Sequence, residues 1–433
     1  MKIRSAKSIR GRLRVPGDKS ISHRAALIGS LADGTSNISN YSTSADCTST
    51  LSCLHELGIS ITRNGAEIQI EGRGASGLSK PSIALDCGNS GSTMRMLSGI
   101  LAGQAFDSEL TGDESLRGRP MKRLIEPLTL MGARLTANEG YPPLHISGSS
   151  SLKAIRYELP VASAQVKSCI LFAGLNASGR TEIVETHGAT RDHTERMLSW
   201  MGVPLQTDAI QKTVALDGPA RYAAKDISIP GDVSSASFLI AAAAMLPDSD
   251  LTIEDIGLNP TRAQLVPFLR SVGCAIEIEN EREVCNEPVG SVRVRWRQFD
   301  PSISRRNQIR GELVAQLIDE LPLLAVVGSQ ISGGLEIRDA TELRFKETDR
   351  IAATVANLRA MGAEVDEFED GLYVTGPTTL RGGQLRAFGD HRIAMAFTIA
   401  ALIADGDSEL DDARCVGISF PEFFELLESV LER

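Results

Sequence analysis

The sequence predicts an α/β protein built from six copies of one β-α-β-α-β-β unit, shared between two similar domains. Three observations predict it. Val15-Pro16-Gly17-Asp18-Lys19-Ser20 is echoed by Ile229-Pro230-Gly231-Asp232-Val233-Ser234, and each run leads into a small-residue apolar stretch. Weaker echoes begin near residues 86, 159, 318 and 388, so the copies start about 70 residues apart with one longer interval. Finally, an amphipathic segment ending in glycine recurs in each of the first five copies, before Gly58, Gly132, Gly202, Gly273 and Gly362.

Within a copy the elements follow in a fixed order. An apolar strand end runs into a polar turn. In the first copy the charged, hydroxylated run from Asp18 to Arg24 reads as this turn, with a helix over 25–31. A return strand comes next, as at 35–38, 181–183, 251–253 and 335–337. The amphipathic helix then stops at its glycine, which reads as a C-cap. Alternating strands such as 67–70 and 372–374 close the unit. The strong echo at Pro230 marks the start of a second group of three copies, giving a crossover near 231 to match one near 18. The expected domains are 1–18 with 232–433, and 19–231.

Composition narrows the function. The 433 residues suffice for two or more domains, and 42% hydrophobic with 23% charged residues is ordinary for a globular chain. Aromatic residues are only 4%, which leaves few platforms for stacking bases. The formal net charge of −10 argues against a nucleic-acid or anionic-membrane footprint. The basic N-terminus lacks the apolar core of a secretory signal, and no run is long enough to span a bilayer. The 7 cysteines are scattered, with no Cys-x-x-Cys pair and no metal-ligand spacing, which fits reduced thiols in the cytoplasm. No metal and no cofactor are expected.

The six turns carry the chemistry. A strand–turn–helix join aims unpaired backbone N–H groups and a positive dipole end at one point, which suits an anion rich in oxygen. Lys19, Ser20 and Arg24 come from the first turn, and Asn89, Ser90, Gly91 and Ser92 from the second, where glycine permits close approach. The third offers Ser163, Gln165 and Lys167, the fourth Asp232, Ser234 and Ser235, the fifth Asp319 and Glu320, the sixth Asp390, His391 and Arg392. Basic loops add Arg117 and Arg119, Arg191, and Arg344 to Arg350. Lys346 and Arg350 lie four apart, which predicts one shared helical face and a like-charge cost unless an anion, or Asp349, sits between them. Arg191 and Glu195 have the spacing of a surface ion pair. Carboxylates among cations suit acid–base work. Together the residues describe a cofactor-free enzyme acting on phosphorylated or carboxylated metabolites in an interdomain cleft.

These motifs resemble the 5-enolpyruvylshikimate-3-phosphate synthase family. Gly17-Asp18-Lys19-Ser20 with His23-Arg24, Gly88-Asn89-Ser90-Gly91, Arg119-Pro120, Ser163-Ala164-Gln165-Val166-Lys167, Lys346-Glu347-Thr348-Asp349-Arg350 and Gly389-Asp390-His391-Arg392 carry the likeness, in order, over essentially the whole chain. The resemblance implies two inverse α/β domains of three units each. It implies transfer of the enolpyruvyl group of phosphoenolpyruvate to the 5-hydroxyl of shikimate 3-phosphate, releasing phosphate, on the route to chorismate and the aromatic amino acids. It also implies a monomer.

Roles follow position by position. Lys19, Arg119, Arg350 and Arg392, with Gly91 and Gln165, would hold phosphoenolpyruvate, and Asn89 would be a further substrate-binding residue. Ser20, Arg24, Ser163, Ala164, Arg191 and Lys346 would hold shikimate 3-phosphate. Asp319 would be the base at the 5-hydroxyl, with Glu320 the alternative. Glu347 would protonate the methylene carbon, and Lys19 would assist the chemistry. The chain departs from the family pattern at Ile418, where some members carry a lysine, and at Met96, where many carry proline. Arg191-Asp192-His193-Thr194-Glu195 resembles the glyphosate-tolerant bacterial class, yet Gly91 remains glycine, so partial tolerance is expected. Two rivals are a UDP-N-acetylglucosamine enolpyruvyl transferase-like enzyme and a non-catalytic anion-binding protein. The first would carry a cysteine in the 113–119 loop, and none lies between Cys87 and Cys169.

Overall fold

Six helices begin at the turns that the repeat marks out, and their caps show why the chain turns there. The computed structural model describes residues 1–299 and 307–433. The Asp18 carboxylate accepts the Ile21 N–H and starts the helix Lys19–Ser30. Ser90 caps Gly91–Ala102, Ser163 caps Ala164–Gly174, Asp232 caps Val233–Met245 and Asp390 caps His391–Ile403, each by accepting a backbone N–H. The helix Leu321–Gly328 follows Glu320 and has no side-chain cap, but carries proline in its first turn. In the first copy the helix therefore starts at Lys19 and not near residue 25. The Asp18 cap draws Lys19, Ser20 and Arg24 into the first two turns.

The chain forms two compact units. One comprises Gly17–Ile229 together with Glu283–Glu287. It contains three sheets of the same plan. Their strand orders are Ile227–Ser228, Asp33–Ser39, Glu67–Arg73, Ser60–Asn64; then Leu85–Asp86, Asp107–Thr111, Tyr141–Ser147, Arg134–Asn138; then Arg156–Glu158, Gly179–Val184, Thr213–Gly218, Leu205–Asp208. In each, the first pair is parallel and the other two are antiparallel. A parallel pair needs a crossover, and in the second and third of these sheets the buried helix supplies it.

The other unit comprises Met1–Pro16, Pro230–Arg282 and Pro288–Arg433. One of its sheets, Asn307–Ile309, Leu335–Ile337, Gly371–Val374, Val365–Phe368, repeats the plan above. A second has five strands, ordered Ala275–Val284, Glu287–Arg295, Asp250–Gly257, Ser8–Arg14, Leu431–Glu432. Here Ser8–Arg14 runs parallel to Asp250–Gly257. The strand before the Lys19 helix thus pairs with the strand after the Val233 helix, while Ile227–Ser228 pairs with Asp33–Ser39. The two chain crossings exchange first strands. The sixth copy is abbreviated: Gln384–Leu385 pairs in parallel with Ser408–Leu410, which pairs on its other side with Lys2–Ile3, and among the described residues no closing hairpin follows.

Each unit has its own aliphatic core. Small residues let the turn-bearing helices touch. A Cβ on Gly99 would fall 2.0 Å from the Cys169 carbonyl oxygen, so Gly91–Ala102 and Ala164–Gly174 meet backbone to backbone. The amphipathic helices end as expected: Gly58 and Gly132 take φ of +82° and +103° at helix exits, where a side chain would be strained. All 7 cysteines are free thiols.

Candidate active site

The unit containing Lys19 brings its turns together through side-chain hydrogen bonds. Asn89 is the hub of the second turn. Its Nδ2 donates to Asp113 at 2.7 Å, and its Oδ1 accepts from Arg119 Nη2 at 2.8 Å. Arg119 also donates to the Ser115 hydroxyl and to the Asn89 carbonyl. Gln165 joins the third turn to the second, donating to Ser92 at 2.8 Å and accepting from Arg95 at 2.6 Å. Gly91 lies among these groups: a Cβ there would stand 2.8 Å from Arg95 Nη1 and 3.6 Å from Arg119 Nη1. Lys19 is held by Asp46 at 2.8 Å.

Arg24 is buried and bridges three helices. It donates to the Ser20 carbonyl at 2.8 Å, to Thr194 at 2.7 Å and to Ser168 at 3.0 Å. Burial pushes the guanidinium down to about 10, against the pull of Glu195 and Asp18, and the Arg191 charge adds to the push. Two cations that oppose one another suit an anion between them. Ser163 serves as a cap, and Ala164 opens the helix behind it. Arg191 precedes the helix His193–Trp200 and lies outside it. Glu195 does not stand on the surface: it is buried and pairs with Lys167 at 2.6 Å. Lys167 also reaches Glu185 at 3.1 Å. Burial works against its charge, but the two carboxylates outweigh it and leave the ammonium firmly protonated.

The other unit builds a lattice of alternating charge. Buried Arg350 donates to Glu347 at 2.6 Å and to Asp390 at 2.8 Å, and Asp319 lies 3.7 Å away. Burial opposes the Arg350 charge, yet Asp390, Glu347 and Asp319 hold its pKa above the ordinary arginine value. Arg392 donates to Ser234 at 2.5 Å, and Ser234 donates to Glu320. Arg262 sits 3.3 Å from Asp319 and 3.7 Å from Glu320. The four carboxylates differ in access. Asp319 and Glu347 keep 20% and 17% of their side-chain surface open, while Asp390 and Glu320 keep 0% and 3%.

Lys346 and Arg350 do not share a helical face. The short 3-10 turn Thr341–Phe345 ends before Lys346, which is extended, and the helix begins only at Arg350. Asp349 is spent elsewhere, capping Ala352 N–H and pairing with Arg344 at 2.6 Å. Sequence reasoning left Asp46, Arg95, Asp113 and Arg262 outside the site. Of these only Asp113 stood in a loop that the sequence marked, 113–119; Arg262 meets Asp319 and Glu320 from more than 50 residues away in sequence. Among the described residues no group of His, Cys, Asp and Glu could hold a metal, and no helix is long and apolar enough to cross a membrane.

Comparisons with known proteins agree in one direction. The family model for EPSP synthase (3-phosphoshikimate 1-carboxyvinyltransferase) matches residues 3–427. The 3-phosphoshikimate 1-carboxyvinyltransferase of Koribacter versatilis is 48% identical over 434 residues, covering 100% of this chain and 99% of that protein. The protein of the same name from Brevibacillus brevis is 44% identical over 432 residues, with 99% of both covered. A solved structure of EPSP synthase from Acinetobacter baumannii superposes with a TM-score of 0.87 at 38% identity, covering 99% of this chain and 97% of that one.

Proposed function

The chain belongs to the EPSP synthase family, and on that premise we propose how its two charged clusters divide the work. The reaction moves the enolpyruvyl group of phosphoenolpyruvate to the 5-hydroxyl of shikimate 3-phosphate and releases phosphate. Neither a UDP-N-acetylglucosamine transferase nor a scaffold protein is favoured, because the curated relatives share the carboxyvinyltransferase name across the whole chain.

Lys19, Asn89, Gly91, Arg119, Gln165, Arg350 and Arg392 bind phosphoenolpyruvate. Ser20, Arg24, Ser163, Ala164, Arg191 and Lys346 bind shikimate 3-phosphate. Glu347 gives a proton to the methylene carbon, and positive charge develops at the neighbouring carbon. The 5-hydroxyl attacks that carbon as Asp319 takes its proton. The tetrahedral adduct then expels phosphate, and a proton leaves the new methyl group to restore the double bond. Fixed cations around the phosphate and carboxylate stabilise charge without reorganising during the reaction. The domains 1–18 with 232–433, and 19–231, each supply one cluster. The reaction takes place in the cytoplasm, a reading supported by the free thiols.

The observation that carries these roles is access. Of the carboxylates in one arginine-rich lattice, Asp232 included, only Asp319 and Glu347 keep an open edge. Phosphate release from phosphoenolpyruvate and shikimate 3-phosphate tests the activity. No release, or release only with UDP-N-acetylglucosamine as acceptor, would refute it.

A further inference from the structure

Three helices of the Lys19 unit are tied by a chain of buried hydrogen bonds that the reaction itself does not use. His23 Nδ1 lies 2.6 Å from the Thr50 hydroxyl, Thr50 lies 2.7 Å from the Thr93 hydroxyl, and Thr93 lies 2.7 Å from the Ser90 hydroxyl. All four residues are buried. They come from the helices Lys19–Ser30, Ala45–Glu56 and Gly91–Ala102, and from the cap of the last.

The chain has a direction. Ser90 Oγ accepts the Thr93 backbone N–H as the helix cap and also accepts the Thr93 hydroxyl proton. A hydroxyl has one proton to give. Thr93 has given its proton to Ser90, so it accepts from Thr50. Thr50 has then given its own, so it accepts from His23. The proton on the imidazole therefore sits on Nδ1. His23 Nε2 has no hydrogen-bond partner among the described residues, which suits a bare lone pair in a neutral ring. Burial, with Lys19 and Arg24 close by, keeps the ring neutral well below its usual range.

We propose that His23, acting through Thr50 and Thr93, is a positioning residue that fixes the Ser90 cap and so the Gly91 turn where phosphoenolpyruvate binds. The proposal rests on the reading that this turn holds that substrate. Lys19 and His23 lie four residues apart on one helix, so the relay joins the helix that carries Lys19 to the helix that starts at Gly91. An anion gripped from both helix starts needs their separation held to fractions of an ångström. A directed chain of hydrogen bonds does this where apolar packing would tolerate sliding. A histidine that merely filled the core would satisfy itself without reaching a helix cap.

The test is steady-state kinetics on the full-length enzyme. Thr50→Val cuts the chain at a residue outside both turns, and Thr93→Val cuts it beside Ser90 while leaving the cap N–H in place. Each should raise KM for phosphoenolpyruvate about five- to tenfold, the size of one lost buried hydrogen bond. Their kcat and KM for shikimate 3-phosphate should stay within about twofold, and Thr50→Ser should restore KM. Unchanged KM in the valine variant that folds, or an equal loss in every constant, overturns the proposal. Asn89→Ala separates the two readings. If it raises KM for phosphoenolpyruvate and the valine variants do not, the relay is wrong; if none of the three does, the turn does not hold this substrate and both readings fall.

Discussion

The Arg350 guanidinium stands 2.6 Å from the Glu347 carboxylate while its other edge is locked to Asp390 at 2.8 Å. One cation thus braces a closed carboxylate and presents an open one. Asp390 in turn caps the helix His391–Ile403, which makes Arg350 a rigid post. A proton donor must first carry a proton. In the mechanism proposed above, that donor is Glu347.

Glu347→Gln follows from that geometry. The amide keeps the shape and can still meet Arg350 through its oxygen, but it has no acidic proton to give. Turnover should fall by about 10²–10⁴, the usual worth of a positioned acid. Affinity for both substrates, measured by calorimetry, should stay within about threefold. Full turnover in the variant would remove Glu347 from the mechanism.

Asp319 and Glu320 are neighbours that the structure separates by exposure. Glu320 is buried against Ser234 and between Arg392 and Arg262, whereas Asp319 keeps an open edge. Asp319→Asn should cost about 10²–10⁴ in kcat with little change in thermal midpoint. Glu320→Gln should keep most of kcat and lose about 1–3 kcal/mol of stability, because buried cations lose a partner. The opposite pattern in phosphate-release assays and thermal melts would exchange the two residues.

The turns were legible in the sequence because five of the six carry a capping side chain and the other, the fifth in order, carries a proline in the first helical turn, and a local pattern is enough to mark a helix start. The places where the local pattern failed are equally specific. Lys346 and Arg350 have helical spacing, but the Asp349 cap resets the helix between them. Glu195 has the spacing of a surface pair with Arg191, but Lys167 claims it from another helix. Arg262 finds Asp319 and Glu320 across the fold, and no sequence interval announces it. The shortened sixth copy was hidden for a related reason: its strand pairs with Lys2–Ile3 from the far end of the chain. Local chemistry can be read from neighbours, while buried charge is matched by tertiary packing.

Gly91→Ala probes the crowded second turn. The added methyl would meet Arg95 Nη1 at 2.8 Å, at the flexible end of a side chain, so Arg95 must swing and loosen its bond to Gln165. The helix has room for alanine in its backbone, since Gly91 is not at positive φ. The variant should fold normally, raise KM for phosphoenolpyruvate severalfold, and raise the glyphosate inhibition constant by more. The parent should show partial tolerance. Inhibition of the parent as tight as in the sensitive class, or equal shifts for substrate and inhibitor in the variant, would contradict this account.

His23 makes a separate prediction about pH. Burial, Lys19 and Arg24 all lower its pKa in the folded chain well below the usual histidine range. The unfolded chain therefore takes up a proton that the folded chain refuses as pH falls through about 6.5. Stability should be level above that point and should decline below it, by about 1.4 kcal/mol per pH unit for this one group. His23→Gln removes the titration. Urea unfolding at pH 7.5, 6.0 and 5.0 should show a variant less stable than the parent at pH 7.5, with a gap that narrows steadily toward pH 5.0. A gap that stays constant would mean that His23 is charged in the folded protein or is not buried as described.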